Sequence, residues 1–292
     1  MIKSLKYLIV FLVSLEIILR IIGFGDPVIY NVNGNNYYPK KNQELRRFKG
    51  KMLNINHLGM RTNYKWKNYT NKKKILFFGD SVSFAGSYID NKNIFSEKVC
   101  DRLAGNSICG NYGVNGYLLE NLSYRLQEVE GSLYDELVIV ISHSFSIGKT
   151  NFKSLPIYNY KLNPFSKASF EIMNHILFKY KILDRYHKNK FKNTISNSTE
   201  NQSNQLNIFI NHLEGLSIDK KVSIFLIPTM ENLDNITDYN HFLDKISYKN
   251  INYNNLFPYF KKIKYEELYY NNAHLNEKGH EYLSKIIYDS IK

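Results

Sequence analysis

The sequence predicts an α/β fold: one three-layer domain with a central parallel sheet, preceded by an N-terminal transmembrane helix. Three observations predict it. From Lys74 onward, short apolar runs alternate with stretches of helical periodicity. The run Leu137-Val138-Ile139-Val140-Ile141-Ser142 is almost wholly apolar, as a strand buried on both faces should be. The chain opens on the basic segment Met1-Ile2-Lys3-Ser4-Leu5-Lys6, followed by an apolar run from about Tyr7 to Ile22.

The opening run contains Glu16 and Arg20, one helical turn apart and able to pair, which lowers the cost of placing both near a bilayer. No small-x-small cleavage site follows it, so residues 1–23 are expected to be an uncleaved signal anchor. The rest of the chain would then lie on the extracytoplasmic side of a cell membrane, held by a single pass. Residues 24–73 are polar and rich in tyrosine and lysine; they read as an extended lead-in with short strands, one of them over 54–61. The α/β domain proper is expected over 74–292, with an insert at about 148–204.

Within that domain Lys74-Ile75-Leu76-Phe77-Phe78 reads as a buried strand ending at Gly79-Asp80-Ser81. A helix over 93–103 leads to a second strand at Ser107-Ile108-Cys109, and a helix over 117–129 precedes the apolar run at 137–142. An amphipathic helix is expected over 170–186, a mobile polar loop over 193–205, and a helix near 206–216. The strand Val222-Ser223-Ile224-Phe225-Leu226-Ile227 stops at Pro228, and a last helix covers 277–291.

Composition narrows the function. The chain has 292 residues, 39 Lys and Arg against 26 Asp and Glu, and a net charge of +13. The positive charge follows a chain-wide richness in Lys, Asn, Ile and Tyr, without an arginine-rich stripe, zinc-ligand set or helix-turn-helix pattern, so no nucleic-acid partner is expected. A basic surface suits anionic lipid headgroups or acidic glycans better. Cys100 and Cys109 are too few for a disulfide scaffold; outside the cytoplasm they could form one bridge between a helix and the next strand, and two buried thiols are the equal alternative. No His, Asp or Cys cluster has ligand spacing, so neither a metal nor a cofactor is expected.

A serine at the carboxyl end of a parallel strand stands where open α/β sheets bind ligands. Ser81 occupies that place, and its own N–H is positioned to help hold an oxyanion. Serine is a weak nucleophile until a base takes its proton. His274, in the loop before the last helix, would emerge at the same sheet edge. Taken alone, Gly79-Asp80-Ser81 reads equally well as a turn and helix cap; order and combination favour the catalytic reading.

That combination resembles the SGNH, or GDSL, hydrolase family. Gly79-Asp80-Ser81 looks like its first block, Asn111-Tyr112-Gly113-Val114-Asn115-Gly116-Tyr117 like its second, and His274-Leu275-Asn276-Glu277-Lys278-Gly279-His280 like its last. Glu16-Ile17-Ile18-Leu19-Arg20, Asn56-His57-Leu58-Gly59-Met60-Arg61 and Ile227-Pro228-Thr229 are similar to its membrane-anchored bacterial branch. The resemblance implies a flavodoxin-like domain, Ser81 as nucleophile, His274 as base, and Gly116 as an oxyanion donor. The third-block Asn of the family is replaced in Ser142-His143-Ser144, so Ser144, or alternatively His143, would donate in its place, with Asp80 on the same oxyanion and substrate-binding side. The triad acid is replaced as well: the candidates, Asn271 and Asn272, are amides, able to orient the imidazole without offsetting its charge. The function implied is hydrolysis of an acyl ester, or transfer of an acyl group, on a cell-envelope glycan. The alternative is a catalytically impaired domain that binds glycan or scaffolds an envelope assembly, with the aromatic, basic stretch 165–186 as its surface.

Overall fold

Apolar runs with β-branched and aromatic residues pair side by side here into five parallel strands. The computed structural model describes residues 2–33, 36–66, 71–129, 131–142, 167–179, 199–234 and 251–292. The chain begins with helix α1 (Ile2–Ile21), then forms two antiparallel hairpins, β1 (Tyr30–Asn33) with β2 (Asn36–Pro39) and β3 (Gln43–Arg47) with β4 (Lys51–Ile55). Next come β5 (Lys73–Gly79), α2 (Ser81–Phe84), α3 (Phe95–Arg102), β6 (Ser107–Asn111), α4 (Leu119–Gln127) and β7 (Glu136–Ser142). They are followed by α5 (Lys167–Lys179), α6 (Thr199–Ser217), β8 (Lys221–Ile227), α7 (Met230–Asp234), β9 (Ile251–Asn255), α8 (Phe257–Lys261) and α9 (Glu277–Ile291).

The sheet order is β6-β5-β7-β8-β9, every pair parallel, and the three inner strands β5, β7 and β8 are buried along most of their length. Alternation along each strand divides the core into two layers. Leu76, Phe78, Leu137, Ile139, Val222 and Ile224 point to one side, with Leu122, Phe209 and Leu213 from α4 and α6. Ile75, Phe77, Val138, Val140 and Phe225 point to the other, with Val99, Phe260, Leu283 and Ile287 from α3, α8 and α9.

Residues 24–73 are more closely integrated than an extended lead-in. Tyr30, Tyr37, Leu53, Ile55, Met60 and Trp66 are buried in the first of these layers, and bridges Ile55↔Arg61 and Arg61↔Asn111 tie β4 to the outer strand β6. Cys100 in α3 and Cys109 in β6 are joined as a disulfide, their Cα atoms 5.8 Å apart, which resolves the two sequence alternatives in favour of the bridge. The polar tract at 193–205 is helical from Thr199 onward, because Leu206, Phe209, Ile210 and Leu213 give α6 a buried stripe that carries the polar first turns with it. Strand β9, with the polar sequence Ile251-Asn252-Tyr253-Asn254-Asn255, escaped the sequence reading because an edge strand needs little apolar pattern.

The expected transmembrane helix requires correction. Residues 2–21 are helical, yet no helix among the described residues is long and apolar enough to cross a membrane. Charge is the reason: Glu16 and Arg20 interrupt the apolar run, and Lys3 and Lys6 lie in the same helix ahead of it. Arg20 does pair with Glu16, at 2.8 Å. Glu16 also accepts hydrogen bonds from Ala168 N (3.0 Å), Ser169 N (2.9 Å) and Ser169 Oγ (2.9 Å), satisfying free N–H groups in the first turn of α5. Below it, the buried Arg47–Glu171 pair and Gly25 N–H to Glu171 Oε2 (2.6 Å) fix α5 to the chain that follows α1. The base of α1 is thereby docked, while Leu8, Val10, Phe11, Ile17 and Ile18 remain exposed.

Candidate active site

Strand β5 ends at Gly79, whose backbone lies so close to β7 that a Cβ there would sit 1.8 Å from Val140 O. Glycine at this point lets the chain turn sharply, and Ser81 emerges at the carboxyl edge of the sheet. Asp80 caps the short helix that follows: its Oδ1 accepts Val82 N–H at 2.9 Å. Its Oδ2 accepts both the N–H (3.1 Å) and the hydroxyl (2.7 Å) of Ser142 at the end of β7. Asp80 is thus turned inward, a buried strut between the nucleophile turn and β7, and the substrate-side position expected for it is corrected: both its oxygens are engaged by Val82 and Ser142.

His274 reaches Ser81 from the opposite side of the sheet edge. The bridge Tyr269↔Leu275 and the bond Tyr270 N–H to His274 O (2.7 Å) close a tight turn over 270–274. Buried Leu275 anchors that turn, and Asn276 caps α9 through Gly279 N–H at 3.1 Å. His274 Nε2 then lies 2.9 Å from Ser81 Oγ. On its other edge, Nδ1 lies 3.0 Å from Asn271 Oδ1. Two backbone groups, Ala273 N–H (3.1 Å) and His274 N–H (2.9 Å), donate to the same Oδ1. With the amide oriented by those donors, Nδ1 must carry the ring proton, which leaves the Nε2 lone pair facing the serine hydroxyl.

The two amide candidates therefore separate. Asn271 completes a Ser–His–Asn row, while Asn272 faces away: its Oδ1 accepts Glu231 N–H (2.9 Å) and its carbonyl accepts Met230 N–H (2.8 Å), pinning α7. Which amide belonged to the site depended on the shape of a five-residue turn, which residue type alone does not encode.

Gly116 stands in a turn beyond β6 with φ +76°. The loop carrying it is stitched to β5 by Tyr112 N–H to Phe77 O (2.7 Å) and Val114 N–H to Gly79 O (3.1 Å). Neither Gly116 N–H nor Ser81 N–H bonds to any described residue. Asn111, fully buried, braces the same loop against α2: its amide donates to Ser83 O (2.7 Å) and its Oδ1 accepts Gly113 N–H (2.8 Å). Ser144 and the neighbouring His143 lie outside the described residues, as do residues 165–166 and 180–186 of the 165–186 surface. Among the described residues no His, Cys, Asp and Glu group is placed to hold a metal ion.

Burial pushes the His274 imidazole below its usual range, and the nearby Asp80 carboxylate partly opposes that fall. Burial pushes Asp80 upward, while its bonds from Ser142 and Val82 work to keep it ionised. The outcome suits a general base: an imidazole that is neutral at neutral pH, with its Nε2 lone pair on the serine hydroxyl.

Two supports went unread in the sequence. Arg61 is fully buried and gathers the chain after the nucleophile helix, donating to Phe84 O (2.6 Å), Gly86 O, Ile89 O (2.6 Å) and Asn91 Oδ1 (2.9 Å). Tyr37 donates its hydroxyl to Asn115 O at 2.8 Å, next to Gly116, and Asn115 donates its amide to Tyr30 Oη at 3.2 Å. The signals available were the arginine that ends Asn56-His57-Leu58-Gly59-Met60-Arg61, ahead of β5, and a density of tyrosines.

No protein-family model matches the chain, and no curated protein matches it. Solved structures do resemble it. One is a member of the lipolytic G-D-S-L family from Veillonella parvula: 13% identity over 75% of this chain and 98% of that one, TM-score 0.43. A lipase/acylhydrolase from Enterococcus faecalis shares 17% identity over 75% of this chain and 95% of that one, TM-score 0.44. A two-domain esterase active on acetylated mannans shares 14% identity over 77% of this chain and 52% of its own, TM-score 0.45. The chain resembles SGNH, or GDSL, hydrolases, and at these identities the likeness is one of fold. The chemistry has to be argued from the contact between Ser81 and His274.

Proposed function

We propose that this protein is a serine-dependent esterase or O-acyltransferase that acts on an acylated cell-envelope glycan. The observation that carries the proposal is the 2.9 Å contact between His274 Nε2 and Ser81 Oγ, with Nδ1 held by Asn271. In the reaction His274 takes the hydroxyl proton as Ser81 Oγ attacks the acyl carbonyl. The resulting oxyanion is received by the N–H groups of Ser81 and Gly116. Collapse expels the alcohol, protonated by the imidazolium, and leaves an acyl-serine. His274 then deprotonates water, or a second sugar hydroxyl, which attacks the acyl-serine and releases Ser81. The glycan substrate rests on the resemblance of the motifs and on a basic surface suited to anionic envelope material.

Attachment to the membrane on the extracytoplasmic side is part of the same proposal. The Cys100–Cys109 bridge favours an oxidising compartment. The exposed apolar side chains of α1, with Lys3 and Lys6 at its start, suit a helix inserted among anionic lipids from one face of the bilayer.

The test is labelling with a fluorophosphonate probe. Labelling at Ser81 that is lost in Ser81→Ala and weakened in His274→Ala supports the proposal. Folded protein that does not label refutes the catalytic reading, and leaves the glycan-binding scaffold that the Asn271 replacement favours.

A further inference from the structure

Beside the Ser81–His274 contact stands an aromatic pair that the chemistry does not use. Tyr88 and Tyr270 stack with ring centroids 4.2 Å apart and planes 16° from parallel. Tyr270 opens the turn that carries His274 and is bonded to it through the backbone, Tyr270 N–H to His274 O at 2.7 Å. Tyr88 lies on the chain that leaves the nucleophile helix, and its hydroxyl donates to Leu275 O, the residue after His274, at 3.2 Å. The pair therefore spans the gap between the serine loop and the histidine loop.

The placement is built in. A Cβ at Gly86 would fall 2.1 Å from the Tyr88 ring, so only glycine there lets the ring lie where it does. Arg61 fixes both flanks of that segment through Gly86 O and Ile89 O. One side of Tyr270 is covered by Tyr88, yet the residue keeps 63% of its surface exposed. Exposed carboxamides follow directly, Asn271 and Asn272, with exposed Glu231 beside Asn272.

We propose that Tyr270, backed by Tyr88, is a sugar-binding platform at the rim of the catalytic site, stacking on the apolar C–H face of the pyranose ring that carries or accepts the acyl group. A pyranose has one face of axial C–H groups and an equator of hydroxyls, so it needs a flat apolar surface bordered by hydrogen-bonding groups. Tyr270 with the exposed Asn271 carboxamide beside it has that make-up. A lipid chain would need an apolar groove instead, and among the described residues this rim is polar on the Asn271 side. The inference deepens the proposed function, resting on Ser81 and His274 as the reacting pair.

The experiment compares p-nitrophenyl acetate, which has no sugar, with a partially O-acetylated xylo-oligosaccharide, in wild type, Tyr270→Ala and Tyr270→Phe. Tyr270→Ala is expected to raise KM for the oligosaccharide and to lower its kcat/KM relative to that for p-nitrophenyl acetate by about tenfold, the scale of one aromatic stacking contact. Tyr270→Phe, which keeps the ring, is expected to restore the ratio. An unchanged ratio in Tyr270→Ala overturns the platform. If wild type turns over neither substrate and does not label with the fluorophosphonate probe, the catalytic reading fails. The platform is then judged separately, by calorimetric titration of the oligosaccharide into Ser81→Ala and into Ser81→Ala/Tyr270→Ala. Binding by the first protein that is weakened in the second sustains it, and equal binding or none overturns it.

Discussion

Replacing Asn271 by aspartate would place a full negative charge where an amide oxygen now stands, 3.0 Å from His274 Nδ1. The existing bonds from Ala273 and His274 N–H would hold the new carboxylate in the same orientation. A unit charge pair at that distance interacts by ~1.4 kcal/mol at the dielectric of water and ~5.5 kcal/mol at an effective dielectric of 20. Asn271 is exposed, so the lower part of that range applies, which corresponds to raising the His274 pKa by about one to two pH units. In the native protein burial holds His274 below 6.5. The base works when neutral, so the acid limb of the wild-type pH–rate profile is expected below pH 6.5 and should move upward in Asn271→Asp. Above that limb the new charge stabilises the imidazolium of the transition state. An amide in this position costs up to about 10⁴-fold in a triad, and solvent at the exposed Asn271 position screens the new charge, so a gain of about 10- to 100-fold in kcat/KM is expected at pH 8. The assay is steady-state hydrolysis of p-nitrophenyl acetate from pH 5 to 9, with the rate of fluorophosphonate labelling as a second measure. A folded Asn271→Asp protein whose acid limb stays in place and whose activity does not rise would refute this account of the Ser–His–Asn row.

Four further outcomes follow from the same contacts. Arg61→Ala removes a buried cation that bonds four groups of the 84–91 segment; a loss of about 3–5 kcal/mol in urea unfolding is expected, with weaker labelling of Ser81 in the protein that remains folded. Gly79→Ala pushes a methyl group against Val140 O and should lower thermal stability by about 1–3 kcal/mol while displacing Ser81, read by calorimetry and by labelling. Tyr37→Phe deletes one hydrogen bond to the loop carrying Gly116; about 0.5–1.5 kcal/mol should be lost, appearing in kcat more than in KM. His280 is buried against Phe95, with neither ring nitrogen bonded among the described residues, and burial pushes it down to about 3 from 6.5. Between those values the unfolded chain binds a proton that the folded chain does not, so stability is lost as pH falls through that window, by up to about 1.4 kcal/mol per pH unit. His280→Phe should flatten that slope in acid titrations followed by circular dichroism.

The sequence by itself determined the sheet and the order in which its parts arrive. Runs such as Ile75–Phe78 and Leu137–Ile141 are apolar on both faces, and burial of both faces is what a central parallel strand requires. Strand β5 was legible for that reason, and with it the turn at Gly79 that exposes Ser81. The last helix was legible too, since Asn276 caps it and its apolar positions recur at helical spacing. Edge strand β9 and the first turns of α6 were not, because polar residues there take their conformation from neighbours.

Tertiary structure decided the rest of the site. Asn271 and Asn272 are adjacent and chemically identical, and only the fold of the 270–274 turn aims one at His274 and the other at α7. Asp80 looked as much a substrate-side group as a cap until β7 brought Ser142 to its second oxygen. Arg61 and Tyr37 became supports of the nucleophile and oxyanion loops only when the two hairpins packed on the sheet. The helix at the N-terminus shows the same division. Its apolar run was plain to read, but the place of Glu16, bonded to the first turn of α5 some 150 residues away, was set by packing. Local pattern records which side chains a segment will bury; where a polar group finds its partner depends on which distant segments come to lie beside it.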